Sequence, residues 1–130
     1  MKRGVFEIIT ETNASVVIDI DTANGDIWLT AHEIANIFQV YVQSVTSNLR
    51  VIFKEGELIE DEVTQEETYT KKGSTYHITY YNLDTIIALA FRCKGPICKR
   101  FRIWLRNQAK RPMTQHQPLI IQIGKDMFLA

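Results

Sequence analysis

Residues 28–50 constrain the fold more than any other stretch of this chain. Thr30 can cap a first helical turn, and Glu33 stands three positions on, where its side chain reaches back to the Thr30 amide. Leu29 before the cap and Ile34 after it have the spacing of a hydrophobic staple. Ile34, Ile37 and Phe38 then share one helical face, with Ala35 small enough to admit a second helix closely. A turn near Gln39 leads into a second helix that carries Val42, Val45 and Leu49 inward, with Ile52 and Phe53 extending the stripe. Gly56 after Lys54 and Glu55 makes a stop. Two short helices around a tight turn, the second with small polar side chains outward, are the layout of a helix-turn-helix. An ordinary helical hairpin in a small core would give the same pattern.

The flanking sequence reads as strands and further helices. Residues 5–10 and 16–20 are β-rich runs that predict a hairpin, and Asn24-Gly25 is a strong turn signal before a short third strand at 27–29. Residues 67–70 and 75–80 flank Lys71-Lys72-Gly73-Ser74 as a second hairpin, with Tyr76, Ile78 and Tyr80 alternating to one side. Asn82 caps a helix whose stripe is Leu83, Ile86, Ile87, Ala90 and Phe91. Gly95-Pro96 breaks it and opens another, because proline suits the first helical position. That last helix turns Ile97, Phe101, Trp104 and Leu105 inward and ends at Arg111-Pro112. The expectation is an α+β chain: N-terminal β-hairpin, helix-turn-helix, second β-hairpin, two C-terminal helices and an apolar tail. A single domain covers 1–111, and 112–130 is a linker and tail containing the strand-like Leu119-Ile120-Ile121-Gln122-Ile123.

A chain of 130 residues is long enough to bury its own core. No apolar run is long enough to span a bilayer, and the N-terminus lacks a signal-peptide layout, so no membrane partner is expected. Two cysteines, Cys93 and Cys98, are too few for a disulfide scaffold or a closed zinc site, which makes a cytoplasmic location with reduced thiols the default. No cofactor or metal is expected. His32-Glu33 begins like a zinc-protease helix, but Asn36 occupies the position of the second histidine. His77 and His116 have no acidic or cysteine partner at ligand spacing, and no phosphate-cradling glycine loop or nucleophile elbow is present. The expectation is therefore not an enzyme.

Formal net charge is zero, but the charges are segregated. Glu55, Glu57, Glu60, Asp61, Glu62, Glu66 and Glu67 make an acidic middle. Arg92, Lys94, Lys99, Arg100, Arg102, Arg106, Lys110 and Arg111 follow with no acidic residue among them. A basic end on a neutral protein still attracts a polyanion locally, because screening limits the reach of distant charges. A solvated face, or pairing with the acidic segment of the same or a neighbouring subunit, explains the run equally well.

With these elements placed, the chain resembles the virulence RhuM family of bacterial proteins. The resemblance is carried by Ile27-Trp28-Leu29-Thr30 leading into Glu33-Ile34-Ala35-Asn36-Ile37-Phe38, and by Ile52-Phe53-Lys54-Glu55-Gly56-Glu57-Leu58. Tyr80-Tyr81-Asn82-Leu83-Asp84-Thr85-Ile86-Ile87-Ala88 and Phe101-Arg102-Ile103-Trp104-Leu105 complete it, so that residues 19–110 are covered. It implies a DNA-binding module of bacterial mobile elements or pathogenicity islands, with no established enzymatic activity. Family members usually continue well beyond this domain, so the resemblance implies a stand-alone or truncated version. Two positions depart from the family pattern: Gln39 stands where glycine is usual in the turn, and Tyr41 where threonine or serine often caps the second helix.

Two functions are therefore expected. In the first, the chain binds double-stranded DNA as a transcriptional or mobile-element regulator, with Gln43, Ser44, Ser47 and Arg50 at base edges, since Gln pairs with adenine and Arg with guanine. Backbone contacts then come from Thr46, Asn48, Lys54, Lys71, Lys72, Lys99, Arg102 and Arg106. One arginine on the second helix supplies little electrostatic affinity, so these patches or dimerisation must contribute. In the second, the helix pair is scaffold for a protein-interaction module, with a homodimer through the tail at 118–130 as the assembly the sequence suggests.

Overall fold

The computed structural model describes residues 2–10, 16–112, 120–123 and 126–129. Strands β1 (Val5–Thr10) and β2 (Val16–Asp21) form an antiparallel hairpin with Phe6 opposite Ile20 and Ile8 opposite Ile18. Alternation turns Phe6 into the core and leaves Val5 and Ile9 exposed, as a half-buried strand requires. Asn24 and Gly25 both hold positive φ, and Ala23 and Asp26 close a two-residue reversal around them. No third strand forms at 27–29. Leu29 instead makes an isolated bridge to Tyr81, with N–H to O distances of 3.0 and 2.7 Å in the two directions. Only this one residue meets the hairpin, because Trp28 donates its amide to the Arg3 carbonyl and Thr30 already caps a helix.

Helices α1 (Ala31–Phe38) and α2 (Val42–Lys54) follow, packed on one another. A four-residue helix, α3 (Glu60–Val63), arises within the acidic middle, where three acidic residues in its only turn suit the positive N-terminal end of a helix. Strands β3 (Thr64–Lys71) and β4 (Ser74–Tyr81) then make the second hairpin, longer than the sequence suggests. Its tip is a two-residue turn with Lys72 at φ 52° and Gly73 at φ 78°, the backbone that matches strand twist. Along β4 burial rises from the exposed Tyr76 through Ile78 to the buried Tyr80, so the hairpin stands out from the body as a wing.

Helix α4 (Leu83–Arg92) is capped by buried Asn82, whose Oδ1 accepts from the Thr85 amide and hydroxyl, both at 3.1 Å. Its buried residues are Thr85, Ile86, Leu89 and Ala90, while Phe91, expected on the inner stripe, is 54 % exposed. The stripe is rotated because α4 packs against both α2 and α5 (Pro96–Ala109), so the inward line runs from Asn82 to Cys93 through Ile86 and Leu89. Gly95 joins the two helices at φ 148° and ψ 159°, backbone open essentially to glycine alone, and Pro96 starts α5. Phe6, Phe38 and Phe101 meet at the centre with ring centroids 5.4–6.1 Å apart, tying β1, α1 and α5 together. Of the tail at 118–130, β5 (Ile120–Ile123) and β6 (Asp126–Leu129) pair antiparallel with each other. The rest of it, like His116, lies outside the described residues. The architecture is mixed α+β, three two-stranded sheets and five helices among the described residues.

Candidate nucleic-acid interface

The helix pair is held from its first turn. Thr30 Oγ1 accepts from the Glu33 amide at 3.2 Å and Glu33 Oε1 accepts from the Thr30 amide at 2.9 Å, completing the capping box. Burial alone would raise the Glu33 carboxyl, but the Thr30 amide and the paired Arg3 guanidinium hold it below its ordinary value. Arg3 also donates to the Trp28 carbonyl and lies 4.9 Å from the Tyr80 ring centroid, so one side chain joins the N-terminal segment, α1 and β4. Ile34, Ala35 and Phe38 are buried.

Gln39 makes the turn in the left-handed region, φ 54° and ψ 48°, and the amides of Gln39 and Val40 return to the last carbonyls of α1. Tyr41 occupies the N-cap of α2, its side chain caps nothing, and it is 83 % exposed. Residues at the start of a recognition helix are those that reach base edges. An exposed aromatic thus stands at the leading end of α2, a position outside the contacts the sequence suggests.

Val45, Leu49 and Ile52 anchor α2 in the core. On the opposite side Gln43, Ser47, Arg50 and Lys54, spaced by four, three and four, form one exposed stripe. Thr46 is exposed beside it, with Oγ1 donating to the Gln43 carbonyl at 3.2 Å. Ser44 and Asn48 lie apart from the stripe, half-buried on the flank that meets α4. The Asn48 amide donates to the Ser44 carbonyl at 2.9 Å and lies 3.9 Å from Cys93 Sγ.

Phe53 stacks on Tyr81 with centroids 6.5 Å apart, setting the base of the wing beside the end of α2. Lys71 and Lys72 stand exposed at its tip. Below them Tyr69 and Tyr76 stack across the strands at 5.2 Å, both 45 % exposed. Exposed Glu60, Asp61 and Glu62 and the strand carboxylates Glu66 and Glu67 sit nearer the base, Glu66 paired with His77 at 2.9 Å. The wing is thus positive at the tip and negative at the root. Among the described residues, Arg50, Lys54, Lys71 and Lys72 form no ion pair.

Cations from the α4–α5 turn and from α5 are gathered elsewhere. Lys94, Lys99, Arg102 and Arg106 line a cleft of about 770 Å³ with Phe91, Ile103 and the Gly95-Pro96 turn. Arg102 is partly committed there, donating from Nη1 to the carbonyls of Ala90 at 2.7 Å and Cys93 at 3.2 Å and so closing the end of α4. Arg92 reaches Glu57 at 2.7 Å and Glu55 at 3.3 Å, the one place where the basic and acidic segments meet among the described residues. No protein-family model, curated protein or solved structure matches the chain. Among the described residues no helix is long and apolar enough to cross a membrane, and no group of three or more His, Cys, Asp or Glu is placed to hold a metal ion.

Proposed function

We propose that this protein binds double-stranded DNA, with α2 in the major groove, as a bacterial transcriptional or mobile-element regulator of the RhuM type. The observation that carries the reading is the exposed stripe of Gln43, Ser47, Arg50 and Lys54 on a helix whose other side is fixed in the core. A recognition helix needs both halves: a rigid mount, and side chains whose donors and acceptors match base edges. Gln43 and Arg50 supply amide and guanidinium forks, Ser47 a hydroxyl, and Tyr41 an aromatic at the leading end. Lys54 and the wing-tip pair Lys71 and Lys72 supply phosphate contacts, while the carboxylates at the wing root repel the backbone and restrict the approach.

The test is a fluorescence titration on random-sequence duplex DNA across a salt series, followed by selection of a preferred site. Affinity should fall linearly with salt on logarithmic axes, and the doubly substituted K71A/K72A chain should lower that slope by about two. Q43A and R50A should each cost about 1–3 kcal/mol on the selected site and far less on random duplex. Binding indifferent to salt, or unchanged by all three, would sink the reading.

The segregation of charge favours a second reading, self-association through the exposed acidic turn of α3 and the basic cleft. Light scattering on chains with and without residues 118–130, at low and high salt, separates it from a dimer held by the tail. A mass that stays monomeric throughout removes both.

A further inference from the structure

Half of the residues that line the cleft of about 770 Å³ are cationic, namely Arg92, Lys94, Lys99, Arg102 and Arg106, and none is acidic. Only part of that charge is matched. Glu57 and Glu55 neutralise Arg92. Arg102 commits Nη1 to the Ala90 and Cys93 carbonyls and keeps Nε and Nη2 without a partner among the described residues. Lys94, Lys99 and Arg106 are exposed, and among the described residues they form no ion pair. Lys99, Arg102, Ile103 and Arg106 recur at helical spacing, so one face of α5 carries them into the cleft. At a rise of about 1.5 Å per residue, its cations span roughly 10 Å along the axis, more than a single phosphate group covers. Phe91 joins the wall from the last turn of α4 and is 54 % exposed. Among the described residues no aromatic ring stacks on it and no cation lies over it.

We propose that this cleft binds a free nucleoside triphosphate, with the base stacked on Phe91 and the phosphates held by Lys99, Arg102 and Arg106. The volume falls within the range of roughly 300–1,000 Å³ that small-molecule sites occupy. Guanidinium forks meet phosphate oxygens in pairs and ammonium groups add point charges, so Arg and Lys clustered without a carboxylate suit a dense anion. Phosphate alone leaves the Phe91 ring in water. A flat base covers it, and stacking of this kind accepts any base. An acidic peptide segment, such as the α3 turn of a second copy, brings one charge per side chain and no flat ring, so it meets the cations but not Phe91. The site is separate from the outer stripe of α2: none of Gln43, Ser47, Arg50 and Lys54 lines the cleft.

The test is isothermal titration of the full chain, at physiological salt, with adenosine triphosphate, adenosine, inorganic tripolyphosphate and a short oligothymidylate. Adenosine triphosphate should bind once per chain, about tenfold tighter than tripolyphosphate, and adenosine alone should not register. F91A should weaken adenosine triphosphate about tenfold and leave tripolyphosphate unchanged. K99A/R106A should abolish binding of both, and K71A/K72A should behave as wild type. Phe91, Lys99 and Arg106 are exposed, so these substitutions spare the core. If K99A/R106A nevertheless loses its circular dichroism spectrum, F91A against the two phosphate ligands decides. No saturable binding of adenosine triphosphate at millimolar concentration overturns the proposal, as does equal affinity for tripolyphosphate. An oligothymidylate that binds more tightly than the free nucleotide, with the same sensitivity to F91A, overturns it too and assigns the cleft to a nucleic-acid strand. Failure here leaves duplex binding by α2 untouched, because Q43A and R50A alter that titration alone.

Discussion

Gln39 offers a direct measurement of backbone strain between the two helices. Its φ of 54° and ψ of 48° lie in the left-handed region, where a β-carbon costs about 1–2 kcal/mol relative to glycine. Substituting glycine removes that cost but frees the unfolded chain, which takes back about 0.4–1 kcal/mol. Little else enters the balance. The Gln39 side chain is exposed, and the bonds that stop α1 run from the backbone amides of residues 39 and 40 to Ala35 and Asn36, which glycine keeps. The expected gain for Q39G is therefore about 0.5–1 kcal/mol. With a urea m-value of about 1–3 kcal/mol/M, the midpoint should rise by roughly 0.2–1 M at unchanged slope. Q39A is the control, since it keeps the β-carbon and its strain and should sit within about 0.3 kcal/mol of wild type. Ordinary helix or loop positions show the opposite order, alanine above glycine. If Q39G proves no more stable than Q39A, the turn does not hold the left-handed conformation that the helix pair depends on.

Other consequences follow from groups that bind distant parts of the chain. Asp26 Oδ1 accepts from the Ile27 amide at 2.8 Å and from the Leu83 amide at 2.9 Å, pinning the first turn of α4 to a loop far away in sequence. D26A should cost about 2–3 kcal/mol, since bonds to a charged acceptor are the stronger kind. D26N retains the acceptor oxygen and should cost clearly less in thermal melts; equal losses would mean that the charge alone matters. For Glu33 the folded value lies below its ordinary 4.5, so its contribution is fully present above that value and is lost as pH falls through the folded one. Urea titrations of wild type and E33Q should differ by a constant amount above about pH 5.5 and converge on acidification. A gap that widens in acid would reverse the sign of the argument.

Local chemistry was what the sequence displayed. The Thr30–Glu33 box, the Asn82 cap, the lysine–glycine wing tip and the proline start of α5 each depend on residues a few positions apart, and all were readable. The polar stripe of α2 was readable for the same reason, as a three-four spacing opposite an apolar one. Contacts between remote segments were not. Nothing near Arg3 signals that it will bridge Trp28, Glu33 and Tyr80, and nothing near Asp26 points to Leu83. The rotation that exposes Phe91 comes from α4 serving two neighbours at once, which a single-face pattern cannot express. Ser44 and Asn48 have side chains suited to DNA, Ser44 to base edges and Asn48 to the backbone, and only the position of Cys93 shows that their flank of α2 belongs to α4. The short helix α3 is not legible in the sequence, because four residues carry no periodicity to read.

Leu29 and Tyr81 exchange a reciprocal pair of backbone hydrogen bonds, so the chain that builds α1, α2, α3 and the wing leaves the body and returns to it through one doorway. A segment whose two ends meet can be transplanted: residues 29–81 could be spliced into a single surface loop of a host without stretching either junction. The graft would arrive with one open side, the apolar faces now covered by β1, α4 and α5, and any host that covers them differently would re-aim the helix without altering a residue on its outer stripe.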